Sequence, residues 1–107
     1  MARVLAISSD LLLGSKVEAM LRAAGHEVTM APSVDGAPLD GTDLIVADLD
    51  AEAPDALVAT GLPVLGYYSH VDVETKQRAE AAGVDLVIPR SRMARELVSL
   101  AAGLLAA

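Results

Sequence analysis

The sequence contains no cysteine, phenylalanine or tryptophan, and only two histidines and two tyrosines among its 107 residues. The absence of cysteine excludes disulfides, thiolate metal sites and cysteine nucleophiles. Two isolated histidines do not supply the ligand set of a zinc site. We therefore expect a single domain, residues 1–107, that folds through its hydrophobic core without a covalent or metal cross-link.

Basic residues are also scarce, with eight Lys and Arg against fifteen Asp and Glu and a formal net charge of −7. They are scattered along the chain except for a small group at Arg90, Arg92 and Arg95. Binding to a phosphate backbone requires clustered positive charge. The composition therefore argues against a nucleic-acid partner.

Long apolar runs are missing, although 53% of the residues are hydrophobic. Glycine, aspartate and serine interrupt every run before it reaches the roughly 18 residues that a membrane helix needs. The N-terminus does not follow the charged, apolar, small-residue order of a signal peptide. We expect a cytoplasmic protein without a membrane partner.

The most informative stretch is Asp43–Asp50, in which an apolar run of four residues is opened and closed by aspartates. Such a run is too short for a helix and fits a strand that is buried on both faces. Asp48 then emerges at the carboxyl end of this strand. In an open α/β sheet, ligands bind at that edge, so Asp48 is the first candidate for a functional residue.

Strand and helix signals alternate along the rest of the chain. The predicted strands are Arg3–Ile7, Glu27–Ala31, the stretch Asp43–Asp50, Pro63–Tyr68 and Val84–Pro89. The predicted helices are Leu11–Ala24, Ala51–Thr60, Val73–Ala82 and a last helix capped by Ser91. Breakers between residues 32 and 38 leave a loop or about one turn where the second helix of the alternation belongs. This order predicts a parallel α/β sheet with helices on both faces.

The whole chain resembles the receiver domain of bacterial response regulators. Asp48 matches the phosphoacceptor aspartate, Pro63-Val64-Leu65 matches the start of the fourth strand, and Ala82-Gly83-Val84-Asp85 matches the turn into the fifth. The resemblance implies a flavodoxin-like, doubly wound five-stranded sheet in the order 2-1-3-4-5, here with a reduced or missing second helix.

The departures from the receiver pattern concern the chemistry. Receivers carry an acidic pair after the first strand that helps to hold Mg²⁺, and the matching positions here are Ser8 and Ser9, with Asp10 one residue late. Two hydroxyl groups do not replace two carboxylates as Mg²⁺ ligands. Any Mg²⁺ site is therefore expected to be weak and to depend on Asp10 and Asp48, with Asp50 as a further candidate. No other cofactor is expected.

Two further receiver positions are altered. The switch hydroxyl of the fourth strand falls on Tyr68 or Ser69, and the lysine of the fifth strand falls on Arg90, without the proline that follows it in the family. Arginine keeps the positive charge but presents a planar fork of different reach. The resemblance is thus to a degenerate, or pseudo-receiver, domain in which Arg90 pairs with Asp48.

The residues that we expect around this pocket are Ser8, Ser9, Asp10, Asp48, Asp50, Tyr68, Ser69, His70 and Arg90. Several have simpler roles: the Ser8–Asp10 segment is typical of a helix cap, and His70 of an exposed loop histidine rather than the partner of Ser69 in proton transfer. Arg90 and Arg92 fit either an anion site at a helix start or a solvated basic cluster.

Two functions remain open. The first is a stand-alone, non-enzymatic signalling or interaction module with a protein partner, and self-association through Val98 and Leu105 of the last helix is included in it. The second is a flavodoxin-like binder of a small phosphorylated ligand at the carboxyl edge of the sheet. No glycine-rich phosphate-binding motif is present, which favours the first.

Overall fold

A five-stranded parallel sheet in the order β2-β1-β3-β4-β5 forms the centre of the fold. The computed structural model describes residues 2–69 and 73–106. The strands are β1 (Arg3–Ile7), β2 (Glu27–Ala31), β3 (Leu44–Asp48), β4 (Val64–Tyr68) and β5 (Leu86–Pro89). The helices of the described residues are α1 (Leu11–Ala23), α2 (Pro54–Val58), α3 (Val73–Ala82) and α4 (Arg90–Ala106). The predicted doubly wound topology is confirmed.

Strand β3 is buried along its whole length because it lies between β1 and β4 and is covered on both faces. Its apolar run therefore needs no alternation of polar and apolar residues. The register places Ala47 beside Ile7 of β1 and Asp48 beside Tyr67 of β4. Asp48 consequently lies at the carboxyl edge of the sheet, the edge at which β1 leads toward α1 and β5 leads directly into α4.

The sheet separates two hydrophobic layers. The first layer packs α1 and α4 against one face through Val17, Leu21, Met93, Leu97 and Ala101. The second layer packs α2 and α3 against the other face through Leu57 and Ala79. Tyr67 belongs to the first layer and Tyr68 to the second, as strand alternation predicts for adjacent residues.

A loop takes the place of a helix between β2 and β3. Residues 32–43 form no helix, and the loop covers the second layer with the partly buried side chains of Val34, Ala37 and Leu39. Glu52, which follows β3, holds this loop in place. Its carboxylate accepts hydrogen bonds from the Val34 amide at 2.7 Å and from the Ser33 hydroxyl at 3.1 Å. The predicted loss of the second helix is confirmed.

Several element bounds differ from the sequence prediction: α1 ends at Ala23 instead of Ala24, and β4 begins at Val64 instead of Pro63. Helix α2 is limited to Pro54–Val58, and β5 begins at Leu86 because the preceding residues form a turn in which Asp85 accepts the Val64 amide at 2.8 Å. Helix α4 begins at Arg90, directly after β5, rather than after a Ser91 cap. Leu105 was predicted to lie off the core stripe of this helix, which is wrong, because it packs against the first layer.

Some large apolar side chains remain on the surface. Leu11 and Leu12, at the start of α1, are 86% and 87% exposed, and Val73 at the start of α3 is also exposed. All three follow the carboxyl ends of parallel strands and so lie at the same edge of the sheet as Asp48. No helix of the described residues is long and apolar enough to cross a membrane.

Candidate functional site

Asp48 is a buried carboxylate at the head of a tight turn. Its side chain is 1% exposed, and Oδ1 accepts the Asp50 amide at 2.9 Å. Its backbone carbonyl accepts the amides of Ala51 at 3.0 Å and Glu52 at 3.2 Å. The turn 48–52 is therefore fixed by the backbone and by the Asp48 side chain together.

Leu49 holds this turn against strand β4. Its amide donates to the Tyr67 carbonyl at 2.9 Å, which continues the ladder between β3 and β4 by one residue. Its side chain packs onto Gly66 so closely that a Cβ added there would lie 2.9 Å from the Leu49 methyl groups. The absence of a side chain at Gly66 in β4 therefore leaves room for the side chain of Leu49, the residue between Asp48 and Asp50.

Arg90 supplies the positive charge of the site. It is the first residue of α4, and its Nη2 donates to Asp48 Oδ2 at 3.2 Å and to Asp50 Oδ2 at 3.3 Å. Both contacts are also ion pairs, and the Arg90 side chain is 37% exposed. One guanidinium nitrogen therefore bridges the two carboxylates. The Nε of Arg90 is buried without a hydrogen-bond partner among the described residues.

The pKa of Asp48 is raised above its usual value of 3.8. Burial is the largest cause, because it disfavours the charged carboxylate, and the negative charge of Asp50 acts in the same direction. The Asp50 amide and the Arg90 guanidinium oppose the shift. The balance shows that Arg90 compensates only part of the free energy of burying this charge.

The segment after β1 is committed to capping α1. The Ser8 hydroxyl accepts the Asp10 amide at 3.1 Å and donates to the Asp10 carbonyl at 3.0 Å. Asp10 Oδ1 accepts the amides of Leu12 at 3.0 Å and Leu13 at 3.1 Å, as an N-cap residue does. Ser9 is exposed. The capping interpretation of this segment is confirmed.

Tyr67, and not Tyr68, is the tyrosine of the site. Tyr68 is buried in the second layer with Leu49 and Val84, so the choice of Tyr68 from the sequence is corrected. Burial raises the pKa of Tyr67 to about 12, a hydrogen-bonding interaction with Ser8 lowers it, and the charge of Asp48 raises it. The pKa of the Tyr67 hydroxyl therefore depends on both Ser8 and Asp48.

The remaining predicted residues are placed less centrally. Ser69 follows β4 and is half-buried. His70 lies outside the described residues, so the predicted Ser69–His70 pair stays a prediction. Arg92 pairs with Glu96 at 3.1 Å one helical turn on. Since Arg90 and Arg92 are both already bound to carboxylates, neither provides the uncommitted charge that an anion site at the start of α4 requires.

The donor set does not fit a resident Mg²⁺. Asp48 and Asp50 share Arg90, and the Asp10 carboxylate caps a helix instead of turning toward Asp48. Within residues 2–69 and 73–106, no three acidic, histidine or cysteine side chains lie close enough together to hold a metal ion. Mg²⁺ requires near-octahedral oxygen ligation with several retained waters. The Arg90 guanidinium already supplies a positive charge beside the Asp48 and Asp50 carboxylates.

No protein-family model matches the sequence, and no curated protein matches it. Solved structures do match. The chain superposes on NtrX from Brucella abortus with a TM-score of 0.84 and 22% identity, over 98% of this chain and 27% of the NtrX chain. The isolated NtrX receiver domain gives 0.82 and 21%, over 96% and 98% of the two chains.

A response regulator receiver domain protein from Clostridium thermocellum gives a TM-score of 0.83 at 17% identity, over 99% of this chain and 95% of that one. These structures define the class: the chain has the flavodoxin-like fold of response regulator receiver domains. At sequence identities of 17–22%, the similarity to these structures establishes the fold. The observed sheet order is the one predicted from the sequence.

Two residues of the site were missed by sequence reasoning. Tyr67 was not among the residues expected around the pocket, although the alternation of β4 residues relative to Asp48 could have identified it. Glu52 was not considered, and a carboxylate four residues after Asp48 is a weak signal by itself. Its contact to the 33–34 loop depends on a loop path that periodicity does not predict.

Proposed function

We propose that the protein is a non-enzymatic, receiver-like signalling module that works through protein contacts and is not phosphorylated by the usual Mg²⁺-dependent route. The observation that carries this proposal is the Arg90 guanidinium, which bridges Asp48 and Asp50 at 3.2 Å and 3.3 Å. The receiver fold supports a signalling role, and the committed carboxylates argue against phosphoryl chemistry.

Phosphoryl transfer to Asp48 would require three conditions that this site does not meet. A metal ion must neutralise the phosphoryl oxygens, because positioning and electrostatic stabilisation provide nearly all of the catalysis. The acceptor carboxylate must also be free to attack, and it must be reachable by the donor. Asp48 is instead bound by Arg90 and is 1% exposed.

Surface chemistry supports a protein partner. The exposed Leu11, Leu12 and Val73 all lie at the edge of the sheet that carries Asp48 and Arg90. Leu11 and Leu12 are adjacent at the start of α1 on one face of the sheet, whereas Val73 starts α3 on the other face. Adjacent exposed apolar groups such as Leu11 and Leu12 are typical of interaction sites, whereas single ones are ordinary. Val98, on α4, is 40% exposed, but Leu105 packs inward, so only half of the predicted self-association surface is left.

The alternative, a binder of a small phosphorylated ligand, has less support. The groups that would hold a phosphate at this edge are Ser8, Ser9, Ser69 and Arg90. The Ser8 hydroxyl and the Arg90 guanidinium, the only cationic group among them, are engaged within the protein. Anion binding at the start of a helix uses hydrogen-bond donors that have no other partner within the protein.

Treatment with a small-molecule phosphodonor and Mg²⁺, followed by intact-mass spectrometry, tests the proposal. We expect the wild-type protein to stay unmodified, and Asp48→Asn serves as the matched control. Stoichiometric addition of one phosphoryl group to the wild type, lost in Asp48→Asn, would overturn the proposal. Addition that persists in Asp48→Asn lies elsewhere in the chain and leaves the Asp48 site unmodified, as proposed.

A further inference from the structure

The position of Tyr67 shows how the Asp48 carboxylate becomes enclosed. Strand β3 separates β1 from β4, and Tyr67 on β4 is the register partner of Asp48. Register partners in a parallel sheet present their side chains to the same face, and neighbouring strands are about 4.8 Å apart. Tyr67 and Asp48 are both 1% exposed. The buried Tyr67 side chain is therefore the cross-strand neighbour of the Asp48 carboxylate.

The ring is held firmly in this position. Tyr67 is 1% exposed and packs in the first layer with Ile88 and Met93. Its hydroxyl stays protonated at neutral pH because burial raises the pKa of Tyr67 to about 12. Hydrogen bonding with Ser8 acts on the pKa of Tyr67 in the opposite direction. The Ser8 hydroxyl is in turn fixed by the Asp10 backbone.

We propose that Tyr67 is a cover that closes Asp48 on the face of the sheet that the two residues share and, together with Arg90 at the start of α4, excludes divalent cations from the carboxylate. This inference deepens the proposed function and rests on it. It assigns the exclusion to a residue of β4 and not only to the missing acidic residues after β1. Mg²⁺ and its waters need open space around the carboxylate, and the tyrosine ring occupies that space.

A cover formed by Tyr67 predicts a result that the loss of acidic residues after β1 does not predict by itself. If the absence of carboxylates at positions 8 and 9 were the whole reason for weak metal binding, the double substitution Ser8→Asp and Ser9→Asp would restore it. If Tyr67 covers the site, the double variant stays weak until the ring is also removed. The two explanations therefore separate on one additional substitution.

The test uses Mn²⁺ as a paramagnetic probe and follows the broadening of the amide NMR signals of Asp48, Leu49 and Asp50. The parent is the Ser8→Asp, Ser9→Asp double variant, to which Tyr67→Leu is added. The matched control adds Tyr68→Leu instead, because Tyr68 is the adjacent tyrosine, is also buried and belongs to the other face of the sheet. Circular dichroism and thermal unfolding establish that each variant is folded.

We expect Tyr67→Leu to tighten the apparent Kd for Mn²⁺ by about tenfold or more relative to the parent, and Tyr68→Leu to leave it unchanged. Tyr67→Phe keeps the ring and should behave like the parent. Tyr67→Met, which keeps apolar volume in the first layer without a ring, replaces the leucine variant if the latter does not fold.

Equal Kd values for the Tyr67→Leu and Tyr68→Leu variants would overturn the proposal. So would a parent variant that already binds Mn²⁺ as tightly as the Tyr67→Leu variant, since the ring would then exclude nothing. These outcomes are distinct from failure of the proposed function, which is measured as phosphorylation of the wild-type chain at Asp48.

Discussion

Arg90 Nη2 lies 3.2 Å from Asp48 Oδ2, which joins two residues separated by 42 positions in the sequence. The contact connects the end of β3 with the first residue of α4. The same nitrogen reaches Asp50 at 3.3 Å, so it also holds the turn that follows β3. The guanidinium thus acts as a built-in counterion for the carboxylates at this edge of the sheet.

Removing this counterion should destabilise the fold in a pH-dependent manner. Arg90→Gln leaves the Asp48 carboxylate buried without its cation, and we expect a loss of about 1–3 kcal/mol in the free energy of unfolding at neutral pH. The loss should shrink as the pH falls through the pKa of Asp48, because a neutral carboxyl needs no counterion. Chemical denaturation between acidic and neutral pH measures both effects.

Arg92→Gln is the matched control for this substitution. Arg92 lies two residues further along the same helix, and its pair with Glu96 is half-exposed. Surface pairs of this spacing contribute only about 0.3–0.5 kcal/mol. A loss in Arg90→Gln no larger than that in Arg92→Gln, or one that does not change with pH, would show that the bridge to Asp48 contributes little.

Asp48→Asn tests the raised pKa directly. A folded-state pKa above the unfolded value of 3.8 means that the folded protein holds the Asp48 proton more tightly. The stabilisation from this proton is fully present below the unfolded value and is lost as the pH rises through the folded value. Asparagine removes the burial of charge but still accepts hydrogen bonds from the Asp50 amide and Arg90.

We therefore expect Asp48→Asn to be at least as stable as the wild type at neutral pH, and its advantage to decline toward acidic pH. Urea denaturation of both proteins across that range is the measurement. A variant that is less stable at neutral pH than at acidic pH, relative to the wild type, would mean that Arg90 more than offsets the burial of Asp48.

The fold was predictable because its signals are local. The apolar run Leu44–Ala47 fits only a strand buried on both faces, and the breakers between residues 32 and 38 leave no room for a helix. Helix and strand alternation then restricts the topology to a parallel sheet with right-handed crossovers. The bounds of β1 and β2 were predicted to the residue, whereas β5 was shortened by a turn that Asp85 stabilises.

The site was less predictable because its contacts depend on parity and loop path. Moving one residue along β4 reverses the face, so selecting Tyr68 in place of Tyr67 chooses the face of the sheet opposite to the Asp48 side chain. Asp10 has a carboxylate that could act in the pocket, but its Oδ1 accepts hydrogen bonds from two amides at the start of α1. Glu52 contributes through a loop whose path has no periodic signal.

Helix α3 is expected to be the least firmly docked element of the fold. It buries Thr75 and Ala79, whereas α4 buries Met93, Leu97 and Ala101. Apolar burial contributes roughly 25 cal/mol per Å², so small side chains provide little docking free energy. Elements with little buried apolar surface open locally at low free energy. The exposed Val73 at its start places this helix beside the surface that we assign to a partner.

Hydrogen exchange followed by NMR measures the difference within one molecule. We expect amides of residues 77–82 in α3 to exchange faster than those of residues 97–104 in α4, because local opening of α3 exposes less apolar surface. Helix α4 is the internal control, since it packs on the same sheet under identical conditions. Equal protection of the two segments would mean that α3 is as firmly held as α4, and the assignment of a mobile partner surface around Val73 would then lose its physical basis.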